Sequence, residues 1–369
     1  SKGGVPISVE FWIQDISSIS ERTNDFVTIS SSTGVEKRFR LYIFLEEKSH
    51  FHLTLYIFHM DLYVNEIWHD SKLAFGHLSP CKGNLTLNEA VLSRLWTPNS
   101  CFVNSKIADI HDSPSRNIYL TLFSNGTVWV NYRVRVKGPC SMDLSNFPMD
   151  TQTCLLIYES FNYNNQEVRM RWNADRPDPV YMLRPINLPD FDIQKIDPIL
   201  VRVVYPAGMW DELQVRFTFK RRCVWYFLQS YVPTYLTIFI SWIAFSLGPS
   251  PKAVQARAML DVNALLAIIM QFGSTLRKLP RVSYVKAIDV WLLGSMTSIF
   301  LSLVELAIVG LKMRGDGKVT SSTGCCCPKT NDPVRTVHHI DSCAKIIFPA
   351  VYSVFNVCSL SLLLTHFRM

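Results

Sequence analysis

The sequence has little that would mark an enzyme or a metal-binding protein. His111-Asp112 and His338-His339 are present, but neither the order of nucleophile and base that hydrolases use nor metal-ligand spacing accompanies them. Adjacent cysteines at positions 325–327 suit zinc poorly, and no paired Cys-x-x-Cys motif lies beside them. We therefore expect no enzymatic activity, no cofactor and no metal. We predict that these cysteines are reduced cytosolic thiols that can be palmitoylated.

Charged residues are also scarce, at 18% of the chain against 48% hydrophobic residues. The net charge of +7 could suit nucleic acid. However, basic residues beside apolar runs, such as Lys220, Arg221, Arg222, Lys312 and Arg314, are typical of segments that flank a membrane. The long apolar runs fall in residues 221–369, whereas residues 1–220 have the composition of a soluble domain. The predicted partner is a lipid bilayer and not a nucleic acid.

The N-terminal part carries the marks of an extracellular domain. It holds four cysteines, Cys81, Cys101, Cys140 and Cys154, and an even number is favoured in an oxidising compartment. Asn84 and Asn125 each begin an N-glycosylation sequon. The first four residues open no apolar leader, so we expect a mature or trimmed chain.

Short alternating segments broken by turn signals run through residues 36–220. We predict strands at residues 53–62, 117–123, 128–136, 153–159 and 201–204. Ser124-Asn125-Gly126 predicts a hairpin turn between two of them. Many short strands at this spacing predict an all-β sandwich of the immunoglobulin-like kind. Residues 5–15 are predicted to form a preceding helix.

Four apolar segments follow, and each is long enough to cross a bilayer as a helix. They are predicted at residues 226–247, 254–276, 285–311 and 345–364. Lysine and arginine in the joins after the first and third segments place both joins in the cytoplasm. The predicted domains are an extracellular domain (1–222), three transmembrane helices (223–311), a cytoplasmic loop (312–341), and a fourth helix with its tail (342–369). The fold class is thus an all-β extracellular sandwich followed by an all-α four-helix transmembrane bundle.

Cys140 and Cys154 bracket a segment that contains Phe147-Pro148-Met149-Asp150. This arrangement, with a membrane-embedded part following it, resembles the signature loop of the Cys-loop receptors, which are pentameric ligand-gated ion channels. The resemblance implies a Cys140–Cys154 disulfide and a pentamer of this chain with four other subunits. A Cys81–Cys101 pair remains open.

Polar residues within the second apolar segment predict a water-facing stripe. A helix would align Gln255, Met259, Asn263, Leu266 and Met270 at steps of three and four, and Gly273 and Arg277 extend the row. One copy cannot enclose water, so the stripe predicts an oligomer around an axis, although a buried bundle helix is the alternative. The resemblance implies that Leu266 forms a hydrophobic girdle that closes by dewetting.

Gln255-Ala256-Arg257 resembles the Pro-Ala-Arg entry of the anion-selective members, with Gln255 in place of the usual proline. Cation-selective members usually carry glutamate at the position of Ala256. A ring of Arg257 near the cytoplasmic end would favour anions, so chloride is the predicted ion. Residues 279–291 resemble the outer linker of the anion-channel branch. They imply gating coupling through Phe147, Pro148, Pro280 and Tyr284, with Arg222 as the electrostatic partner.

The family binds agonist between subunits in a box of aromatic residues. Several loops match, and the implied ligand-binding residues are Tyr63, Asn65, Cys101, Phe102, Arg133, Glu159, Phe161, Tyr163, Tyr205 and Trp210. Aromatic rings attract an ammonium group, and Glu159 could add an ion pair. Each aromatic residue could instead be ordinary sandwich packing.

Asn65 predicts the kind of agonist. Members gated by amino acids commonly carry an arginine at this position, where it binds the agonist carboxylate. Arg133 could partly substitute, but the simpler interpretation is an agonist without a carboxylate. We predict a small amine, either a biogenic amine or a choline ester.

The leading hypothesis is a ligand-gated chloride channel subunit of the plasma membrane, expected at postsynaptic sites. One alternative is a cation-permeable channel of the same architecture. Another is an auxiliary, non-conducting subunit of a heteromer. An enzyme is the weakest of these hypotheses, because no catalytic arrangement supports it.

Overall fold

The computed structural model describes residues 3–20, 56–248, 250–279, 282–316 and 333–367. The chain divides into two compact units. A β unit comprises Ser1–Met142 and Gln152–Lys220, and a helical unit comprises Asp143–Thr151 and Arg221–Met369. Residues 143–151, which fall within the predicted extracellular domain of residues 1–222, group with the helical unit in this division.

Two sheets build the β unit. The larger has the order β10-β1-β2-β7-β6-β3, with β5 on β7 and β9 on β1, and the smaller has the order β11-β12-β8-β4. The strands are β1 (Val5–Ser20), β2 (Tyr56–His69), β3 (Asn84–Leu87), β4 (Ser100–Phe102), β5 (Ile107–Ile110), β6 (Ile118–Phe123), β7 (Thr127–Cys140), β8 (Thr151–Ser160), β9 (Val168–Trp172), β10 (Val180–Met182), β11 (Phe191–Tyr205) and β12 (Gly208–Arg221). The predicted all-β sandwich is confirmed. A short helix, α1 (Glu89–Leu92), lies between β3 and β4.

The predicted N-terminal helix is wrong, because residues 5–15 lie within β1. Its apolar residues Ile7, Val9, Phe11 and Ile13 recur at every second position, and all four are buried. That period places them on one face of a strand, whereas a helix would spread them around its axis. β1 pairs with β2 along most of its length, and its buried face forms one side of the core.

The predicted hairpin turn is present between β6 and β7. Gly126 has φ +89°, a backbone conformation that residues other than glycine rarely adopt. A Cβ at Gly126 would also lie 2.4 Å from the carbonyl oxygen of Asp70. Both features require glycine here and fix the register of the two strands.

A disulfide joins Cys140 at the end of β7 to Cys154 on β8, as the sequence implied. Cys81 and Cys101 are both free thiols, so the open possibility of a second disulfide is not realised. The disulfide closes the loop whose tip, residues 143–151, is described with the helical unit.

The described residues of the helical unit form four helices that are long and apolar enough to cross a membrane. The first span begins with α2 (Val224–Tyr226) and a π-helical turn (Phe227–Tyr231), continues as α3 (Val232–Ala244), and ends in a 3-10 turn (Phe245–Leu247). The others are α4 (Pro251–Lys278), α5 (Ala287–Asp316) and α6 (Pro333–Phe367). Ile238, Ala264, Ile268, Ile299 and Tyr352, from all four spans, form a shared buried cluster. The predicted four-helix bundle is confirmed.

Candidate functional site

A row of polar side chains crosses the smaller sheet of the β unit. Cys101 of β4 lies opposite Glu159 of β8, and Glu212 lies on β12, the strand on the other side of β8. Glu212 accepts a hydrogen bond from the Tyr205 hydroxyl at 2.9 Å and another from Gln214 Nε2 at 2.8 Å. Both glutamates are buried. This row therefore brings two carboxylates to one place.

Aromatic side chains lie on or beside the strands that carry the carboxylate row. The rings of Tyr205 and Trp210 meet edge to face at 5.7 Å, on the two arms of the β11–β12 hairpin. Phe161, directly after β8, is 71% exposed. Tyr163 packs against Trp96 at 5.7 Å. Four predicted ligand-binding positions thus lie near the same end of the smaller sheet, and we call Glu159, Phe161, Tyr205, Trp210 and Glu212 the acidic aromatic box.

The acidic aromatic box is electronegative. Burial raises the pKa of Glu159, and the charge of Glu212 raises it further. The hydrogen bond to Glu212 raises the pKa of Tyr205 to about 12. Within the described part of the chain, Glu159 Oε2 is buried without a hydrogen-bond partner, and neither carboxylate forms an ion pair. Burial, followed by the charge of Glu159, also raises the pKa of Cys101, so this thiol stays neutral. The box is suited to a cation.

The predicted contacts Tyr63, Asn65 and Arg133 lie on the other, larger sheet. Tyr63 and Arg133 are paired across β2 and β7, with the guanidinium 6.0 Å from the centre of the tyrosine ring. One chain therefore does not assemble all the predicted ligand-binding residues at a single place. The residues divide into a set on the smaller sheet and a set on the larger sheet.

Two predicted ligand contacts are buried in the single chain, and one of them, Asn65, is wrong as a direct contact. Asn65 is fully buried, and its Oδ1 accepts hydrogen bonds from Trp129 Nε1 at 3.0 Å and Asn131 Nδ2 at 2.6 Å. Phe102 is buried in the core, where its ring lies 4.8 Å from that of Tyr158. Neighbouring side chains cover Asn65, so a ligand could reach it only after the β unit rearranged. Phe102 is mostly buried but lines a cavity together with Cys101 and Tyr158.

The segment of residues 143–151 is held by Arg221, the last residue of β12. Arg221 forms two hydrogen bonds to Asp150, from Nε at 2.7 Å and from Nη2 at 3.2 Å. Its guanidinium also lies 4.9 Å from the centre of the fully buried Phe147 ring. The sequence pointed to Arg222 in this role, but Arg222 is exposed, and the residue that holds Asp150 is Arg221. The two arginines are adjacent in the sequence, and the sequence alone does not show which of them contacts Asp150.

The same segment contacts the linker before α5. The Tyr284 hydroxyl accepts a hydrogen bond from the Leu144 backbone N–H at 2.9 Å, and the Ala287 N–H donates to the Ser145 carbonyl at 2.8 Å. The structure therefore brings Tyr284 to the loop segment. Pro280, predicted for the same junction, lies outside the described residues.

The polar stripe of α4 is exposed on the single chain. Gln255, Met259, Asn263, Leu266 and Met270 are all exposed, while Ala264 and Ile268 on the opposite side are buried. The stripe thus faces away from the other three spans. It is available to line a channel only if several copies surround an axis.

Arg257 does not belong to this exposed face, which contradicts its predicted position in a ring around the pore. It is 1% exposed, and its guanidinium pairs with Glu305 of α5 at 3.1 Å and with Asp341 of α6 at 2.7 Å. Residue 257 lies two positions from both Gln255 and Met259, so about 200° of helical rotation separates it from each. Its charge is neutralised inside the bundle.

Two family models match the chain. The neurotransmitter-gated ion-channel ligand binding domain matches residues 39–223, and the corresponding transmembrane region matches residues 230–320. The chain belongs to the neurotransmitter-gated ion-channel family. The family predicted from the Cys140–Cys154 segment is thereby confirmed.

Several members of this family are similar over most of the chain. An acetylcholine-gated chloride channel subunit (acc-2) of Caenorhabditis elegans is 56% identical over 85% of the chain and 62% of its own length. The serotonin-gated chloride channel mod-1 of the same organism is 42% identical over 84% and 56%. The gamma-aminobutyric acid receptor subunit rho-2 of Bos taurus is 33% identical over 73% and 58%. The chain thus spans less than two thirds of the length of these relatives.

Sequence reasoning missed several residues of this neurotransmitter-gated ion-channel chain. Glu212 lies two residues after Trp210 in the sequence. Its position beside Glu159 follows from the order of strands in the sheet, which the sequence does not give. Glu305 and Asp341 are far from Arg257 in the sequence. A charged residue within an apolar run was the available signal, since such residues usually have a partner in the membrane.

Proposed function

We propose that this chain is a subunit of a ligand-gated chloride channel of the plasma membrane, opened by a small amine. The acidic aromatic box is the observation that carries the proposal. Glu159 and Glu212 are buried and form no ion pair within the described part of the chain. Together with Phe161, Tyr205 and Trp210 they favour a cationic ligand. An ammonium between such rings gains about 2 kcal/mol or more when it is desolvated.

The separation of the predicted ligand residues supports a site between two subunits. The acidic aromatic box lies on the smaller sheet, while Tyr63 and Arg133 lie on the larger one. Two copies placed side by side would let one chain supply the box and the other supply the second wall. Five copies around an axis would make five such sites and would enclose the α4 stripe as a pore.

Chloride selectivity rests on the N-terminal end of α4, which we place at the cytoplasmic mouth. The side chains exposed there are Lys252, Gln255, Ala256 and Met259, and none of them is acidic. The helix begins at Pro251, and the N-terminus of a helix carries about half a positive charge. Arg277 and Lys278 are exposed at the other end. Both mouths therefore favour anions.

Two relatives support the class of agonist. Their names describe channels gated by acetylcholine and by serotonin, and each of these ligands carries a cationic nitrogen. Agonist binding would draw the β11–β12 hairpin toward the box. The movement would pass through residues 143–151, both ends of which continue into strands of the β unit, to the linker before α5 and then to α4.

Expression of this chain in oocytes under voltage clamp tests the proposal. We expect currents evoked by acetylcholine or a biogenic amine, and little response to glycine, GABA or glutamate. Replacing external chloride with gluconate should move the reversal potential toward the new chloride equilibrium potential. A strong current evoked by an amino acid but by no amine would contradict the agonist class. A reversal potential that follows sodium would contradict the ion.

A further inference from the structure

Pro233 interrupts the backbone hydrogen bonding of the first span. A proline has no backbone N–H, so the carbonyl four residues earlier, that of Gln229, has no α-helical donor. The turn just before it is π-helical, from Phe227 to Tyr231, and the Val232 N–H donates to the Phe227 carbonyl five residues back. This widened turn accommodates the proline ring.

Side chains donate to the carbonyls around this gap. The Thr234 hydroxyl donates to the Ser230 carbonyl at 2.8 Å, within the same helix. Gln271 of α4 donates from Nε2 to the Gln229 carbonyl, also at 2.8 Å. Side chains of the same and neighbouring helices commonly make a proline tolerable in a membrane span in this way. The second bond differs because its donor belongs to another helix.

That helix is the one with the exposed polar stripe. Gln271 directly follows Met270 and lies five positions after Leu266, both of which are exposed on the stripe. The Gln271 side-chain amide therefore joins α4, the helix that carries the exposed stripe, to the first span. Any rotation or tilt of α4 against α3 must lengthen this bond or break it.

We propose that Gln271 is a positioning residue for gating, which holds the pore helix in the described arrangement by donating to the carbonyl that Pro233 leaves without a donor. This rests on the proposed channel function. Gln271 contacts neither the agonist nor, through this bond, the permeating ion. Its effect is on the equilibrium between pore conformations, and it depends on residue 233 being a proline.

A double-mutant cycle tests this dependence. Gln271→Met keeps the length of the side chain and removes the donor, while Pro233→Ala supplies a backbone N–H at the gap. We expect Gln271→Met alone to change agonist EC50 and partial-agonist efficacy about threefold, the size typical of hydrogen bonds between membrane helices. In the Pro233→Ala background, the same substitution should change both by less than about half that factor.

The matched control is Ser274→Ala, which removes a hydroxyl that donates to the Gln271 carbonyl within α4 at 2.9 Å. Its effect should be the same in both backgrounds. Affinity for a competitive antagonist should not change in any variant. An equal effect of Gln271→Met with proline and with alanine at 233, or no effect in either, would overturn the proposal.

Two further measurements keep the test independent of channel activity and of the folding of Pro233→Ala. In the detergent-solubilised receptor, Gln271→Met should also lower the melting temperature less in the Pro233→Ala background than in the unmodified chain. This readout needs no agonist, so a failure of the proposed channel function can be told apart from a failure of the Gln271 proposal. If Pro233→Ala does not reach the surface, an α-hydroxy acid at position 230 converts the Gln229 carbonyl into an ester, a weaker acceptor. Gln271→Met should then add little, and a full additional effect would count against the bond.

Discussion

At the scale of single residues, the protonation of Glu159 should control agonist potency. Burial and the nearby Glu212 raise the pKa of this carboxyl. A carboxylate with a raised pKa loses its charge at a higher pH than an ordinary glutamate does. We therefore expect the potency of a quaternary ammonium agonist, whose own charge does not titrate, to fall as the pH is lowered from neutral, and to start falling at a higher pH than an ordinary glutamate would cause. Concentration–response curves at several pH values measure this.

The matched variants for this prediction are Glu159→Gln and Glu167→Gln. The first should have low potency that no longer depends on pH in this range. The second replaces an exposed glutamate of the same unit and should behave like the unmodified chain. A pH dependence that survives in Glu159→Gln would show that another group titrates.

Arg257 leads to a second prediction at this scale, which concerns stability. Its buried guanidinium pairs with Glu305 and Asp341, so Arg257→Gln leaves two buried carboxylates with less compensation. Breaking such a pair from one side costs about 3–5 kcal/mol, whereas neutralising all partners is often tolerated. We expect Arg257→Gln to lower the melting temperature and the surface expression, and Arg257→Gln/Glu305→Gln/Asp341→Asn to recover most of the loss.

The exposed Lys252 of the same helix is the control, because Lys252→Gln removes an equal charge that is not buried. It should leave the melting temperature nearly unchanged, as most surface substitutions do. If the triple variant were less stable than Arg257→Gln, the buried ion pairs would be stabilising as a group, contrary to this interpretation.

At the scale of elements, the segment of residues 143–151 depends on the geometry of Arg221. The guanidinium makes two hydrogen bonds to Asp150 and lies over Phe147, and a lysine cannot reproduce this planar arrangement. We expect Arg221→Lys to raise the agonist EC50 about tenfold, since a hydrogen bond to a charged group contributes about 1.5–3 kcal/mol. Arg222→Lys, at the exposed neighbouring position, should change it little. Equal effects of the two substitutions would contradict the assignment.

Elements with a long, regular pattern could be predicted from the sequence, and those that depend on pairing could not. The α4 stripe follows from helical spacing alone, so Leu266 and Asn263 were placed on its exposed face correctly. β1 was missed because a short apolar segment can read as helix or strand, and its partner β2 decides which one forms. Asn65 was misplaced for a related reason. Its strand face was predictable, but Trp129 and Asn131, which cover it, come from the neighbouring strand.

At the scale of the whole molecule, the sequence indicated the family but not the distribution of charge. Gln255-Ala256-Arg257 suggested an arginine ring, because the motif gives the order of residues and not the direction of each side chain. The partners that turn Arg257 inward lie on two other helices, and only the assembled bundle identifies them. The proposed anion selectivity therefore has to be explained without this arginine as a free charge.

The final prediction concerns the selectivity of the assembled channel. The side chains exposed at the N-terminal end of α4 include no acid, and Arg257 is already paired with two carboxylates. Ala256→Glu would add one negative charge per subunit at an exposed position, and rings of acidic side chains select cations. Arg257, whose guanidinium is held by Glu305 and Asp341, would not offset them. We expect the reversal potential of the agonist current to follow sodium instead of chloride.

Ala256→Gln, equal in size but neutral, should remain chloride-selective. If Ala256→Glu still conducts chloride, the charges at Arg277 and Lys278 at the opposite mouth must dominate, and neutralising them in that background would then be expected to reverse the selectivity.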